Sequence, residues 1–287
     1  MKNIQPYLIK EEIIKAIRSF FYEQDFHEVI PDMLNEALPL EPNLSPFSTT
    51  WKTSTGEKTF YLPMSPERGI KKMLAQGIGN CFSISKSFRN LERLGSLHNP
   101  EFLMLEWYRE DAVYTDIMAD VEKFFAYLKP NVFNKKWSVF SLKELFKKYL
   151  NINLEKAISD PTWAQNYDQL FVNEIESKLP EEPLFLIDFP ARLSPLCKPQ
   201  KNNPIFAERF ECYIKGIEIG NGNTENTDVK SLRKVFENQQ ALKKLPIDEE
   251  FLTSLKIMGK KSYAGVGIGI DRLAMVFNNE TSIDAVV

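Results

Sequence analysis

Residues 88–109 read FRNLERLGSLHNPEFLMLEWYR, the most informative segment of the chain. It joins two runs rich in β-prone and aromatic residues, CFSISKSF at 81–88 and FLMLEWYR at 102–109, through a polar segment. Such a pattern predicts two strands connected by a loop. Arg89 and Phe102 flank that loop; a guanidinium can bind a phosphate through two hydrogen bonds, and a phenyl ring can stack on a purine. Taken singly, Arg89 would more often form a surface salt bridge, and Phe102 would more often be a core residue.

A glycine-rich run, GVGIGIDR at 265–272, stands near the end of the sequence. It superficially resembles a dinucleotide-binding fingerprint, but no βαβ unit follows it, and that interpretation is therefore poor. The pattern predicts instead a strand that runs straight into a helix. Its glycines would let a ligand approach the strand closely, and Arg272 at the helix start would contact a phosphate.

Acidic residues are concentrated in ERFECYIKGIEIGNG at 208–222 and just after it. Glu211 and Glu218 are an odd number of positions apart, so on one regular strand they would point to opposite faces. A bulge or two separate strands must intervene if both hold one metal ion. The functional hypothesis is a magnesium site against triphosphate oxygens, and the alternative is a set of solvated charges on an edge strand.

The composition indicates a globular protein. With 287 residues and 43% hydrophobic content, the chain can bury a substantial core in one large domain or two small ones. The net charge of -3, without a long basic block, argues weakly against nucleic acid as a partner. Because the sequence contains neither a long apolar run nor a secretory signal, we expect a cytoplasmic protein with no membrane partner. The three cysteines are widely separated, which argues against a disulfide framework or a zinc site.

Hydrophobic spacing predicts the elements around these motifs. In the first part of the chain we expect a helix at 9–22, a strand over 26–30 of FHEVIPDML that Pro31 ends or kinks, a loop over 36–57 and a short strand at 60–62. Ser65, Pro66 and Glu67 resemble a helix start, with Ser65 as the cap and Pro66 at the first helical position.

Later segments are mainly helical before the acidic strands. We expect helices at 115–128, 141–149 and 231–243, another within 161–179, and strands at 185–190 and 208–222. A single domain over 1–287 with a helical insertion at about 110–180 fits this order best.

Taken in order, FRN, HNPEFLMLEWY, ERFECYIKGIEIGNG and GVGIGIDR resemble motifs 2 and 3 and the intervening substrate strand of class II lysyl-tRNA synthetase-like enzymes. FHEVIPDML also resembles motif 1, the dimer-forming segment of that class. The resemblance implies an α+β fold, the class II aminoacyl-tRNA synthetase catalytic fold with an antiparallel sheet flanked by helices, and a homodimer. Within the group, the chain looks most like the short enzymes that attach lysine or β-lysine to elongation factor P. The motifs begin soon after residue 1, which leaves no room for an N-terminal anticodon-binding domain.

The resemblance also implies ATP as a substrate and magnesium as a cofactor. It assigns the two catalytic roles to Arg89, on the α-phosphate, and Arg272, on the γ-phosphate. The other implied nucleotide ligands are Asn90, His98 over the triphosphate and Phe102 on adenine, with Arg272 stacking on the opposite face. Glu211 and Glu218 would bind magnesium. For the amino acid, the implied contacts are Glu67 and Glu106 to the amino group, Tyr108 and Asn221 to polar groups, Glu225 to the terminal ammonium, and Gly220 in the pocket.

Three positions depart from the pattern. Gly220 stands where the short ligases usually carry Ala, which makes α-lysine a plausible substrate alongside β-lysine. SPLCK at 194–198 looks more like the lysyl-tRNA synthetases. Leu91 follows FRN where a glutamate is usual, and Glu92 comes one place later, so the adenine contacts of this loop could differ.

The resulting hypothesis is a two-step ligase that forms an aminoacyl-adenylate and then modifies a lysine of elongation factor P. A tRNA partner is not expected. One alternative is a truncated lysyl-tRNA synthetase-like enzyme that acts on tRNA or another acceptor. Another is a catalytically silent regulatory paralogue, against which the retention of Arg89, Arg272 and the three glutamates Glu211, Glu218 and Glu225 argues.

Overall fold

The computed structural model describes residues 4–91, 95–160, 163 and 166–286. In chain order, the first elements are α1 (Gln5–Tyr22), β1 (His27–Glu28), β2 (Ser48–Thr53), β3 (Gly56–Tyr61), α2 (Glu67–Ala75), β4 (Cys81–Phe88) and β5 (Glu101–Glu110). There follow α3 (Tyr114–Leu128), β6 (Ser138–Ser141), α4 (Leu142–Leu150), α5 (Leu154–Ile158), α6 (Tyr167–Leu170), β7 (Leu184–Ile187), β8 (Arg209–Ile214) and β9 (Ile217–Thr224). The last are α7 (Val229–Lys243), α8 (Glu249–Met258), β10 (Tyr263–Gly269) and α9 (Ile270–Phe277).

The chain forms two compact units. Unit 1 comprises Met1–Glu110, Thr227–Ser262 and Gly267–Val287, and unit 2 comprises Asp111–Asn226 and Tyr263–Val266. The helical segments expected at about 110–180 belong to unit 2, together with β6 to β9. The single domain with an insertion remains a prediction.

Unit 1 is built around the antiparallel pair β4 and β5, with β1 parallel to β4. Its aromatic core follows from the helical spacing of α1, which places Phe21 on the buried face. The Phe21 ring stacks on Phe82 with 4.8 Å between centroids and lies 5.2 Å from the Trp107 ring. α1 is thereby packed against the two strands that carry the first motif.

Unit 2 contains the antiparallel strands β7, β8 and β9, with β6 parallel to β7. Helices α4 to α6 pack against them through a buried cluster in which Phe146 and Tyr167 stack at 5.7 Å. α6 continues into a π-helical turn, Phe171–Ile175. The mostly antiparallel strands flanked by helices confirm the predicted α+β class.

Most predicted elements are confirmed, but β6 and α8 were not predicted and the strand expected at 208–222 is divided into β8 and β9. The other errors fall in the first part of the chain. The loop expected over 36–57 is wrong, because β2 and the start of β3 lie within it. The strand expected at 26–30 is reduced to two residues, His27 and Glu28. α2 begins at Glu67 instead of Pro66, although the Ser65 hydroxyl accepts a hydrogen bond from the Glu67 amide at 3.4 Å. Of the segment 161–179, residues 161, 162, 164 and 165 lie outside the described part of the chain.

Cys81, Cys197 and Cys212 are buried free thiols. Across the described ranges, no helix combines the length and the apolar character needed to span a bilayer.

Candidate active site

Arg89 and Phe102 are brought together by the register of β4 and β5. Ser87 lies opposite Phe102 in this pair, and the Arg89 amide donates to the Pro100 carbonyl at 3.0 Å just beyond the end of β4. The Arg89 guanidinium therefore lies over the Phe102 ring, 5.1 Å from its centroid. Its Nε also donates to the Met64 carbonyl at 3.3 Å, which restrains the side chain.

Asn90 and Leu91 continue from this strand into the loop. The Asn90 amide donates to the Ser45 carbonyl at 2.8 Å, and its side-chain oxygen accepts from the Leu91 amide at 2.9 Å. Leu91 is 84% exposed and has a φ of 60°, a left-handed conformation that is unfavourable for a bulky side chain. Glu92, the acidic residue expected one place later, lies outside the described residues.

Arg272 follows the glycine-rich strand β10 at the start of α9, as predicted. Its Nε donates to the Leu97 carbonyl at 3.2 Å, and one Nη lies 3.1 Å from Nε2 of His98. A guanidinium can only donate hydrogen bonds, so Nε2 of His98 is the acceptor in this contact. The structure thus places His98 and Arg272 side by side within unit 1.

Glu67, Glu106 and Tyr108 are also in unit 1. Glu67 is the first residue of α2, where the helix dipole favours a carboxylate. Glu106 and Tyr108 are two apart on β5 and share a face, and the Tyr108 hydroxyl lies 3.4 Å from Oε1 of Glu106. All three residues are buried. Gly267, in the last part of β10, keeps the space beside Glu106 open, since a Cβ there would lie 3.8 Å from Oε1.

Unit 2 carries the acidic pair. Glu211 lies on β8 and Glu218 on β9, two antiparallel strands with a register shift between Cys212 and Tyr213. A bulge or two separate strands was the condition for both glutamates to hold one metal ion, and this hairpin has both. Burial and the negative charge of Glu218 together raise the pKa of the Glu211 carboxyl, against the opposing effect of Arg209. Two carboxylates with this mutual repulsion fit a divalent cation, which would relieve it.

Among the residues that the structure describes, no group of three or more His, Cys, Asp or Glu side chains is arranged to hold a metal ion. The acidic pair alone supplies two ligands. Magnesium commonly takes one or two carboxylates from the protein and completes its coordination with substrate phosphates and water. The donor set of Glu211 and Glu218 fits that pattern.

The remaining predicted residues lie on β9 or directly after it. Asn221 donates to Oε1 of Glu218 at 3.4 Å, and the buried Gly220 accepts a hydrogen bond from the Cys212 thiol at 3.2 Å. Glu225 is 5% exposed. Its carboxylate accepts a hydrogen bond from the side-chain amide of Asn223 at 3.3 Å, and its backbone amide donates to the Tyr263 carbonyl. Glu211, Glu218, Gly220, Asn221 and Glu225 are therefore all held by the two strands of unit 2 and the residues that follow them.

Sequence reasoning missed the buried partners of these glutamates. Arg209 donates to Oε1 of Glu211 at 2.8 Å, and Tyr213 donates to Oε2 at 3.0 Å. Both are two positions from Glu211 on the same strand, so the two-residue period of a strand was the signal that could have found them. Lys71 was missed in the same way, since it lies one helical turn after Glu67 and pairs with it.

The fold and these side chains define a class II synthetase catalytic domain. The family model of class II tRNA synthetases (D, K and N) matches residues 2–287, and the chain belongs to that family. The predicted enzyme class, an ATP-dependent amino acid ligase of the lysyl-tRNA synthetase-like type, is confirmed at this level.

Three individual relatives give a more specific comparison than the family model. The chain is 35% identical to the elongation factor P–(R)-β-lysine ligase of Buchnera aphidicola subsp. Schizaphis graminum, over 99% of this chain and 95% of that protein. It is 32% identical to the lysine–tRNA ligase of Wigglesworthia glossinidia brevipalpis and 33% identical to that of Legionella pneumophila, over nearly all of this chain. The chain spans 64% of the length of each of these lysine–tRNA ligases.

Proposed function

We propose that this chain activates lysine or β-lysine with ATP and transfers the aminoacyl group to a lysine side chain of translation elongation factor P. The observation that carries the proposal is the similarity to an elongation factor P–(R)-β-lysine ligase along 95% of that protein's length. The lysine–tRNA ligases support the same chemistry but extend well beyond the matched region.

The nucleotide contacts are proposed for unit 1. Adenine would stack on Phe102, and the Arg89 guanidinium, already held beside that ring, would bind the α-phosphate. Asn90 restrains the start of the same loop. Arg272 would bind the γ-phosphate with His98 beside it, since their 3.1 Å contact places both side chains at the start of α9.

The amino acid contacts are proposed from the resemblance to the lysyl-tRNA synthetase-like enzymes. Glu67 and Glu106 would accept the amino group near the carboxyl end, with Tyr108 beside them, because buried carboxylates are suited to a buried ammonium. The same resemblance assigns Asn221 and the backbone at Gly220 to the substrate chain. Glu225, 5% exposed, would pair with the terminal ammonium.

Glu211 and Glu218 are the proposed magnesium ligands. When bound, magnesium would neutralise triphosphate charge. Arg209 and Tyr213 keep the Glu211 carboxylate oriented through its two oxygens. Removal of either partner would therefore leave one Glu211 oxygen without its hydrogen bond and disturb the acidic pair.

The reaction has two steps. First, the substrate carboxylate attacks the α-phosphorus of ATP, the bond to the β-phosphate oxygen breaks, and pyrophosphate leaves the aminoacyl-adenylate behind. Arg89 would stabilise the negative charge that develops at the α-phosphate. Second, the neutral ε-amine of the acceptor lysine attacks the adenylate carbonyl, AMP leaves with the bonding electrons, and the amine loses a proton. Positioning and charge stabilisation account for both steps without a covalent enzyme intermediate.

The alternative proposal is that tRNA is the acceptor, because a lysine–tRNA ligase matches along the whole chain. The deciding experiment incubates the protein with ATP, magnesium and lysine or (R)-β-lysine, and then offers either purified elongation factor P or lysine tRNA. The proposal predicts a mass increase of one aminoacyl group on the factor and no acid-precipitable tRNA product. Aminoacylated tRNA with an unmodified factor would establish the alternative instead.

The proposed homodimer rests on the resemblance of FHEVIPDML to motif 1. Sedimentation equilibrium at micromolar concentration should give twice the monomer mass of 33.2 kDa. A single monomeric species over the same range would contradict it.

A further inference from the structure

Lys71 is a buried lysine inside the group of residues proposed to bind the substrate amine. It lies on α2 with 0% exposure, and its Nζ is 2.5 Å from Oε1 of Glu67. The ammonium also lies over two aromatic rings, 5.8 Å from the centroid of Tyr108 and 5.4 Å from that of Phe251. Elements α2, β5 and α8 therefore all contribute to its surroundings.

Fold stability alone does not explain a lysine at this position. A buried ammonium is costly unless it is paired, and replacing buried ion pairs by apolar side chains of similar volume is often neutral or stabilising. Apolar side chains at both 67 and 71 would fill the same space without an ion pair to desolvate. The charge is retained at a cost, which points to a use for it.

The use follows from what the ammonium does to Glu67. A carboxylate accepts several hydrogen bonds, so the bond to Lys71 at Oε1 fixes the side chain and still leaves capacity for another donor. Next to it, Tyr108 approaches Glu106, the second carboxylate of the group.

We propose that Lys71 is a positioning residue for amino acid recognition, which orients Glu67 and sets the charge of the group formed by Glu67, Glu106 and Lys71. Two carboxylates and one ammonium leave a single net negative charge. That charge matches one substrate ammonium and disfavours an analogue without it, such as 6-aminohexanoate. This inference rests on the proposed function, since it assumes that Glu67 meets the substrate.

The test compares Lys71→Met with the matched control Lys72→Met, whose lysine pairs with Glu250 and is partly exposed. In amino-acid-dependent ATP–pyrophosphate exchange, Lys71→Met should raise the KM for lysine about tenfold or more, as expected for loss of a charged hydrogen bond. Its kcat and its KM for ATP should change less than about threefold. Lys72→Met should match the unmodified protein.

A double-mutant cycle guards against a merely structural effect. On a Glu67→Gln background, Lys71→Met should raise the lysine KM by less than about twofold, because the residue that it positions is already neutral. If Lys71 served only the fold, Lys71→Met would instead lower kcat, kcat/KM for lysine, kcat/KM for ATP and Tm together on either background. That result would overturn the proposal. An unchanged lysine KM in Lys71→Met would overturn it as well. Absence of lysine-dependent exchange in the unmodified protein would overturn the proposed function, and the role of Lys71 with it.

Discussion

Asp271 ties the start of α9 to the strand that carries the proposed adenine platform. Its Oδ2 accepts a hydrogen bond from the Leu103 amide at 2.6 Å, and its Oδ1 pairs with Lys10 of α1 at 2.6 Å. Asp271 precedes Arg272, and Leu103 follows Phe102. One buried carboxylate therefore fixes the backbone next to both proposed nucleotide ligands.

We expect Asp271→Ala to lower the free energy of unfolding by about 2 to 4 kcal/mol, because it leaves the partly buried Lys10 and the Leu103 amide without this partner. Urea denaturation followed by fluorescence measures the change. Asp284→Ala, at an exposed position near the same end of the chain, is the control and should stay within about 0.5 kcal/mol of the unmodified protein. Equal effects of the two substitutions would show that Asp271 has no special structural role.

Gly222 on β9 allows a close backbone approach. A Cβ at this position would lie 2.6 Å from the Gly265 carbonyl oxygen and 2.7 Å from the Phe210 ring. Gly222→Ala should therefore destabilise the protein by about 1 to 3 kcal/mol or more, as overpacking does. Thermal unfolding is the measurement, and Gly95→Ala, where the nearest atom is 4.0 Å away, is the control. Unchanged Tm in Gly222→Ala would contradict the geometry.

The strands and helices that the sequence predicts well are those with one buried face. β4 and β5 combine a dense apolar pattern with a polar loop, and α1 has a clear helical period. β2 and the first part of β3 were missed because these residues are exposed on both faces, so that neither alternation nor an apolar run identifies them. α8 was not predicted, although its sequence contains the signals of a helix: Asp248 caps it, and Phe251, Leu252 and Leu255 are buried at helical spacing.

The individual site residues could be named from ordered motifs, but their partners could not. Arg209 and Asp271 act through pairing with a neighbour, and a single charged residue in a sequence does not show whether its partner is water or protein. The Lys10 to Asp271 pair joins opposite ends of the chain, so only the fold reveals it. If Glu211 and Glu218 hold one metal ion, their odd spacing requires a bulge or two separate strands between them. The β8–β9 hairpin has both features.

The stability of the protein without ATP and magnesium should depend on pH through Glu211. Its pKa is raised from 4.5 to about 7 by burial and by Glu218, so the folded protein binds a proton that the unfolded chain has already released. Stability from this group is therefore greatest below pH 4.5 and is lost as the pH rises toward 7. Glu211→Gln should flatten that part of the stability profile in urea titrations from pH 5 to 8. A profile identical to that of the unmodified protein would contradict the raised pKa.

Arg89→Ala should reduce kcat for adenylate formation by about a hundredfold to a thousandfold, the usual effect of removing a group that stabilises transition-state charge. ATP–pyrophosphate exchange measures it, and Tm should change little because Arg89 is only partly buried. Arg233→Ala, which removes an exposed arginine paired with Glu249, is the matched control and should keep full activity. Retention of activity in Arg89→Ala would remove this arginine from the proposed reaction.

The most direct test of the central claim is amino-acid-dependent ATP–pyrophosphate exchange by the unmodified protein with α-lysine and both enantiomers of β-lysine. Our account predicts exchange with at least one of these isomers and none with leucine or with 6-aminohexanoate. The preferred isomer will also show what Gly220 means for specificity. No exchange with any lysine isomer would contradict the adenylation mechanism and leave a silent paralogue as the better description of the chain.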